Sequence, residues 1–346
     1  MHKCNTTIRK GVAVMSIDVL SVGDIVTDAF IKLIDDQAHA TKDDKGRWLT
    51  MPFGVKIPYD HVEVLEAVGN APNASVSFAK LGLKSALYAN VGGDQNGRDM
   101  IASLENSKVD TRFIKVNPKQ KSNYHYVLWY KAERTILIKH EEYKYHWPHL
   151  RPDEIPKWIY FSSISKTAEK FHDELSDWLK KHPDVKLAFQ PGTFQINMGT
   201  KRLAELYKNT EVLAVNREEA VMLSKGDYKN INDLFDKLHA LGPKIVVISD
   251  GPDGAYASDG NRRLKMPIYP DPSPPFERTG AGDAFTSTFV AALIHGSDIE
   301  GALQWAPINS MSVVQYVGAQ KGLLTEPQIA KLLKQSPRWY RPEELK

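Results

Sequence analysis

Six short apolar runs recur along the chain: "SIDVLSVG", "SALYANVG", "WIYFSS", "KLAFQPG", "EVLAVN" and "KIVVISDG". Each is continuously apolar rather than alternating, the pattern of a strand buried on both faces, as in a parallel sheet. The segments between most of them carry helical spacing. Strand–helix alternation of this kind predicts an α/β fold, a doubly wound, mostly parallel sheet sandwiched by helices. In such folds ligands bind beyond the carboxyl ends of the strands. The runs end at Gly23, Gly92, Ser162, Gly192, Asn216 and Gly251, so the loops that approach a ligand start there.

Two segments break the alternation. Residues 31–60 are polar ("DDQAHATKDDKGRW") and then β-like ("LTMPFGVKI"), and residues 122–138 ("SNYHYVLWYKAERTILI") have the pattern of a hairpin with "KAER" at its tip. Both are expected to form a small β lid over one edge of a single domain spanning 1–346, with ordinary surface excursions as the alternative. Tyr124 and Tyr126 share one face of "YHYVLWY", which suits a lid strand, a homodimer contact through the lid, or a platform for a sugar or base.

Bulk properties narrow the class. The chain has 346 residues and a net charge of +3, from 45 basic and 42 acidic residues. That balance lacks the basic excess of a nucleic-acid binder. Its single cysteine, Cys4, excludes an internal disulfide framework and fits a reducing compartment. No apolar stretch is long enough to span a membrane, and the beginning lacks a convincing leader pattern. A cytoplasmic enzyme with a small-molecule substrate, without nucleic acid or membrane partners, is the expectation.

The chemistry concentrates at "ERTGAGDAF", residues 277–285. Phe285, Phe289, Ala292 and Leu293 follow helical spacing, and Gly296 suits the helix stop. Thr279, Gly280, Ala281 and Gly282 therefore occupy the first turn or its approach, where backbone N–H groups lack intrahelical partners. With little side-chain bulk, those amides and the helix dipole can receive a phosphoryl group. Asp283 stands beside them, placed to take a proton from an attacking hydroxyl. The alternative is an N-capping turn with Asp283 as the cap.

These residues resemble the C-terminal signature of the carbohydrate kinases of the ribokinase family, also called the PfkB family: Asp-Thr-Gly-Ala-Gly-Asp before an apolar helix. Here Arg278 stands at the leading acid, which puts potassium or other monovalent-cation activation in doubt. The resemblance implies that Asp283 is the catalytic base and that Gly280, Ala281 and Gly282 form the anion hole. The N-terminal signature is also matched, in "VGNAPNASVSFAKLGLKSALYANVGGDQNGRDM" (68–100), at Gly69, Asn73, Ala79, Leu81, Gly82, Gly92, Asp94 and Gly97. It implies that Asn73 binds sugar hydroxyls, with Gly69 and Asn70 at the helix start. In "VGDIVTD", Asp28 matches the family's substrate-binding aspartate, with Asp24 as the fallback. "LAVNREEA" matches Asn-x-x-Glu at Asn216 and Glu219, implying magnesium near the nucleotide phosphates. "VVISDGPDGAY" places Ser249, Gly251 and Gly254 beside the nucleotide, together with Thr279. "NSMSVVQYVGAQKG" implies an adenine pocket near Asn309 and Gly318. Gln190 stands where many sugar kinases have an acid, and its role is open.

The resemblance spans roughly residues 15–325 and implies an ATP- and Mg²⁺-dependent kinase acting on a sugar or sugar-like hydroxyl. A nucleoside kinase of the same fold, or a catalytically idle relative, are the alternatives. His140, His146 and His149 lack the acid cluster a zinc site needs. No nucleophile-elbow, zincin or dinucleotide-binding motif is present.

Overall fold

The computed structural model describes residues 16–44, 46–131 and 133–345; Cys4 and the rest of the leading segment lie outside them. In chain order the first strands are β1 (Val19–Val22), β2 (Val26–Leu33), β3 (His39–Asp43), β4 (Gly46–Thr50) and β5 (Tyr59–Val68). They are followed by β6 (Ser85–Gly92), β7 (Ile114–Asn117), β8 (Tyr124–Tyr130), β9 (Glu133–Leu137), β10 (Trp158–Phe161) and β11 (Lys186–Phe189). The last are β12 (Thr210–Asn216), β13 (Ile245–Ser249), β14 (Ala255–Ser258), β15 (Arg263–Met266) and β16 (Glu343–Glu344).

Ten strands form one sheet in the order β16-β15-β14-β13-β12-β11-β10-β1-β6-β7. All neighbours from β7 to β13 are parallel, and the β13–β16 edge is antiparallel. The six apolar runs are the six central parallel strands. Their two-sided burial shows in β10, where Ile159 and Phe161 pack into the core on one face and Trp158 and Tyr160 into the core on the other. Because β1 lies between β6 and β10, the chain winds away from it in both directions. A crevice opens at such a switch point, outside the strand ends. The loops after β1, β10 and β11 bring Asp24, Ser162 and Gln190 there.

The two irregular segments contribute strands to a second, smaller sheet and a hairpin, called the lid sheet below after the expectation. Four strands pair in the order β5-β2-β8-β9, and β3 and β4 make a separate hairpin. The lid sheet is wider than the sequence suggests, since β2 already begins at Val26 and β5 runs to Val68. The β-like stretch "LTMPFGVKI" holds only the end of β4; residues 51–58 form no strand, and Phe53 is fully exposed. Pro52 and Gly54 interrupt that run, and no neighbouring strand offers it a ladder.

Candidate active site

Two helices meet at the crevice. Helix Ala281–Ile294 is apolar almost all round and buried, and its Ser287 hydroxyl donates to Ser77 of helix Asn70–Lys80 at 2.8 Å. Small residues on both helices allow this approach, which brings the start of each beside the other.

Gly280 is the N-cap of the first helix, in the left-handed region at φ 78°, with no side-chain cap bond. Asp283 is therefore not the cap; it sits in the first turn with its carboxylate turned to the neighbouring elements. Asn70 donates to one carboxylate oxygen at 2.7 Å, Asn73 to the other at 2.8 Å, and Gln190 reaches the first at 3.4 Å. Gln190, whose role the sequence left open, also accepts from the buried Tyr160 hydroxyl. Gln320 donates to Asn73 at 3.0 Å, which fixes the amide that holds the Asp283 carboxylate. Asp283 is only 8% exposed, and burial pushes its carboxyl above the ordinary 3.8 while the three amides pull the other way.

On the other side of this turn lies a cavity of about 230 Å³. Ser249, Gly251 and Gly254 line it, together with Ala281 and Gly282. A Cβ added to Gly282 would meet no atom within 4 Å, so this part of the first turn opens directly to free space. The remaining wall is mostly apolar: Ile268, Tyr269, Pro275, Phe285, Pro307, Met311 and Val314. Arg278 and Asp271 supply its charge. A flat aromatic base suits the apolar walls, and its phosphates suit the glycine-lined end.

Other expected residues fall elsewhere. Asn309 is fully buried, donating to Thr288 at 2.7 Å and accepting from Leu324 N–H at 2.9 Å, so it ties elements together behind the wall. Its neighbours Ser310 and Met311 line the cavity instead. Gly318 packs against Leu65 of the lid, and neither it nor Thr279 lines the cavity. Asn216 and Glu219 form a reciprocal cap: Asn216 Oδ1 accepts from Glu219 N–H at 2.8 Å, and Glu219 Oε2 accepts from Asn216 N–H at 2.9 Å. Burial raises the Glu219 carboxyl above its ordinary range, with the charges of Glu218 and Asp283 adding to it. Among the described residues no cluster of three or more acids, histidines or cysteines could hold a metal. A cation here would need the nucleotide's own oxygens and water, with Glu219 as the protein carboxylate.

Glu277, which the sequence reading passed over, organises the loop. Its side chain, 9% exposed, accepts from Thr279 N–H at 2.8 Å, from the Thr279 hydroxyl and from Gly318 N–H at 3.4 Å. The loop thus keeps an acid, one position before Arg278. Arg134 of β9 pairs with the same carboxylate, and Trp129 of β8 meets Phe276 edge-on at 5.8 Å. These two contacts latch the small sheet to the loop that precedes helix Ala281–Ile294.

Comparison with known proteins accords with this arrangement. The model of the pfkB family carbohydrate kinase matches residues 54–326. An uncharacterized sugar kinase of Archaeoglobus fulgidus is 24% identical over 252 residues, covering 72% of this chain and 98% of its own. The fold is shared with a nucleoside kinase of Methanocaldococcus jannaschii (TM-score 0.75, 17% identity, 92% and 99% of the two chains). It is shared equally with a ribokinase of Arabidopsis thaliana in complex with ribose and ATP (TM-score 0.75, 19% identity, 92% and 99%).

Proposed function

Since the chain belongs to the pfkB family of carbohydrate kinases, we propose that it transfers the γ-phosphoryl group of ATP to a hydroxyl of a sugar or sugar-like molecule, with Asp283 as general base. The observation that carries this reading is the position of Asp283. It is the residue next to Gly282, whose amide end faces the cavity, while its carboxylate faces the opposite side, toward Asn70, Asn73 and Gln190. Donor and acceptor then approach the same helix turn from two sides. Phosphoryl transfer asks mainly for placement and charge stabilisation, which the amides of Gly280, Ala281 and Gly282 supply. Magnesium bound with the nucleotide near Glu219 would neutralise phosphate charge. Incubating the protein with ATP and a panel of acceptors, and measuring ADP release, tests the reading; no acceptor-dependent ADP would reject it.

The latch implies that lid closure and the phosphate loop act together. Arg134→Ala removes the cation that the lid brings to Glu277. Closed lids exclude water from the transferring group. The variant is expected to turn over about tenfold more slowly, the order of one lost charged hydrogen bond, and to release more ADP per product formed. Equal ADP and product at the parent's rate would remove the coupling.

The outer lid face supports self-association. Val64 of β5, Tyr126 of β8 and Leu137 of β9 fall in one register row and are 48%, 49% and 51% exposed. Such a contiguous apolar face marks an interaction site, and we take its occupant to be the lid of a second copy. Sedimentation should show a dimer, and Tyr126→Lys a monomer.

A further inference from the structure

His125 and His140, which match no metal motif, come together in the acceptor half of the site. Asp28 lies opposite His125 in the parallel β2–β8 pair, so both side chains leave the same face of the lid sheet. That face is the one carrying Trp129 onto Phe276 and hence the one turned to the phosphate loop. His125 Nδ1 is 3.2 Å from Asp28 Oδ1, His125 Nε2 is 3.3 Å from His140 Nε2, and His140 Nδ1 is 3.3 Å from Asp24 Oδ2. Tyr145 donates its hydroxyl proton to the other Asp24 oxygen. The result is a row of carboxylate, imidazole, imidazole and carboxylate, hydrogen-bonded between the two rings and in close approach at either end.

The row is built rather than incidental. His140 has no regular structure around it, yet Glu141 N–H donates to Asn123 Oδ1 at 2.8 Å, and Asn123 Nδ2 donates to Ile25 carbonyl at 3.0 Å. The segment is thereby tied, through the residue just before β8, to the connection between β1 and β2. Side chains of Asp24, His125 and Asp28 are only 11%, 11% and 14% exposed. The row also abuts the base. The Asp24 carbonyl closes on Gly69, where an added Cβ would come within 2.9 Å, and the next residue, Asn70, holds Asp283.

Two buried atoms of the row, Asp28 Oδ1 and His140 Nδ1, lie 3.2 Å from His125 Nδ1 and 3.3 Å from Asp24 Oδ2 without making a hydrogen bond of good geometry. Buried polar atoms of this kind call for a partner. A hydroxyl serves either one, donating to a carboxylate oxygen or accepting from an imidazole N–H. A carboxylate or phosphate can do only the second. The charge count points the same way. Because one ring must accept at Nε2, the two aspartates are matched by at most one imidazolium charge, and the row carries no positive excess. The nearby cations Arg134 and Lys139 already face Glu277 and Glu141.

We propose that His125 and His140 are positioning residues for Asp28, the aspartate at the family's substrate-binding position, and that the row they form with Asp24 selects an uncharged polyhydroxyl acceptor over an anionic one. This rests on the kinase reading above. The Nε2-to-Nε2 contact demands that one ring donate while the other accepts, so each histidine fixes its neighbour's orientation.

The test uses the full chain with ATP and five acceptors: ribose, fructose and adenosine against fructose 6-phosphate and 2-keto-3-deoxygluconate. An uncharged acceptor is expected to exceed both anionic ones in kcat/KM by at least about tenfold, the scale of leaving one buried polar group unpaired. Preference for an anionic acceptor would overturn the inference and leave the kinase reading standing; silence with all five counts against the kinase reading and the inference with it. With the best acceptor, His125→Ala should raise acceptor KM about tenfold, with the loss falling on that KM rather than on kcat or the KM for ATP. His125→Asn, which retains a side-chain N–H donor, should recover part of it. A matching fall in kcat for the alanine variant, or no rescue by asparagine, would reduce His125 to a packing role. Should His125→Ala fail to fold, His140→Asn is read by the same KM-against-kcat division, and an unchanged acceptor KM there would overturn the relay.

Discussion

Asp283→Asn is expected to lower kcat by roughly 10²- to 10⁴-fold, the scale of losing a general base, while ATP binds as before. The carboxylate is not part of the wall of the cavity proposed for the nucleotide, so its replacement leaves that wall untouched. The fold should survive as well. An asparagine presents one amide group where the parent presents an oxygen, and a donor would then meet a donor. Asn73 is fixed by Gln320 and Gln190 by Tyr160, but among the described residues no such partner fixes the Asn70 amide, which can turn its oxygen toward the new group. Acceptor-dependent ADP release measures kcat, and calorimetry measures ATP affinity; parent-like turnover would end the base assignment. The pH dependence follows from the same burial. Because the folded protein holds this proton above 3.8, the acid limb of the parent's kcat/KM should lie above the ordinary carboxylate range and be missing from the residual activity of the variant. For stability the sign is opposite to that of an ion-paired acid. A raised folded value contributes stability below 3.8 that is lost as pH rises through the folded value, so the variant should gain relative to the parent between acid and neutral pH.

What the sequence disclosed depended on how local the cause was. The six central strands were legible because burial on both faces leaves a continuous apolar run, as in β10 and β13. The glycine turn at the start of helix Ala281–Ile294 was legible because three small residues before an acid have a local backbone reason. The surroundings of Asp283 were not: Gln190 and Gln320 come from other elements, and nothing near either residue in sequence announces Asp283. The same holds for His140, whose place is set by Asn123 holding its backbone neighbour. Asn216 and Glu219 show a different difficulty, because the spacing that suggests a metal pair is also the spacing of a capping box, and the structure displays the cap. Asn309 was read one residue away from the cavity-lining Ser310, an error that a helix face alone decides. Glu277 accepts from the N–H two residues on, as Asp and Asn do in Asx turns, but a glutamate carries no such turn signal in the sequence.

Gly280→Ala is expected to cost about 10²- to 10³-fold in kcat, the range seen when a preorganised backbone donor is lost from an anion site. Two effects combine at this position. The backbone is left-handed, at φ 78°, which a Cβ makes costly. The added methyl would also overlap the Ala319 side chain and come within 2.5 Å of its Cα. Backbone lies on both sides of that contact, so the turn must shift, and with it the amides of Ala281 and Gly282. A control lies two residues on. At Gly282 the Cβ meets no atom within 4 Å and φ is not positive, so Gly282→Ala should fold at least as stably as the parent, alanine being the better helix former by about 1 kcal/mol. Its methyl nevertheless projects into the space where the phosphoryl group is proposed to sit. Thermal melting should therefore separate the two variants, with Tm lowered only in Gly280→Ala, while ATP-dependent turnover falls in both. If Gly282→Ala melted like the parent and also turned over like it, the open end of this helix would not be where phosphate is held, and the donor side of the site would have to be sought elsewhere along the cavity.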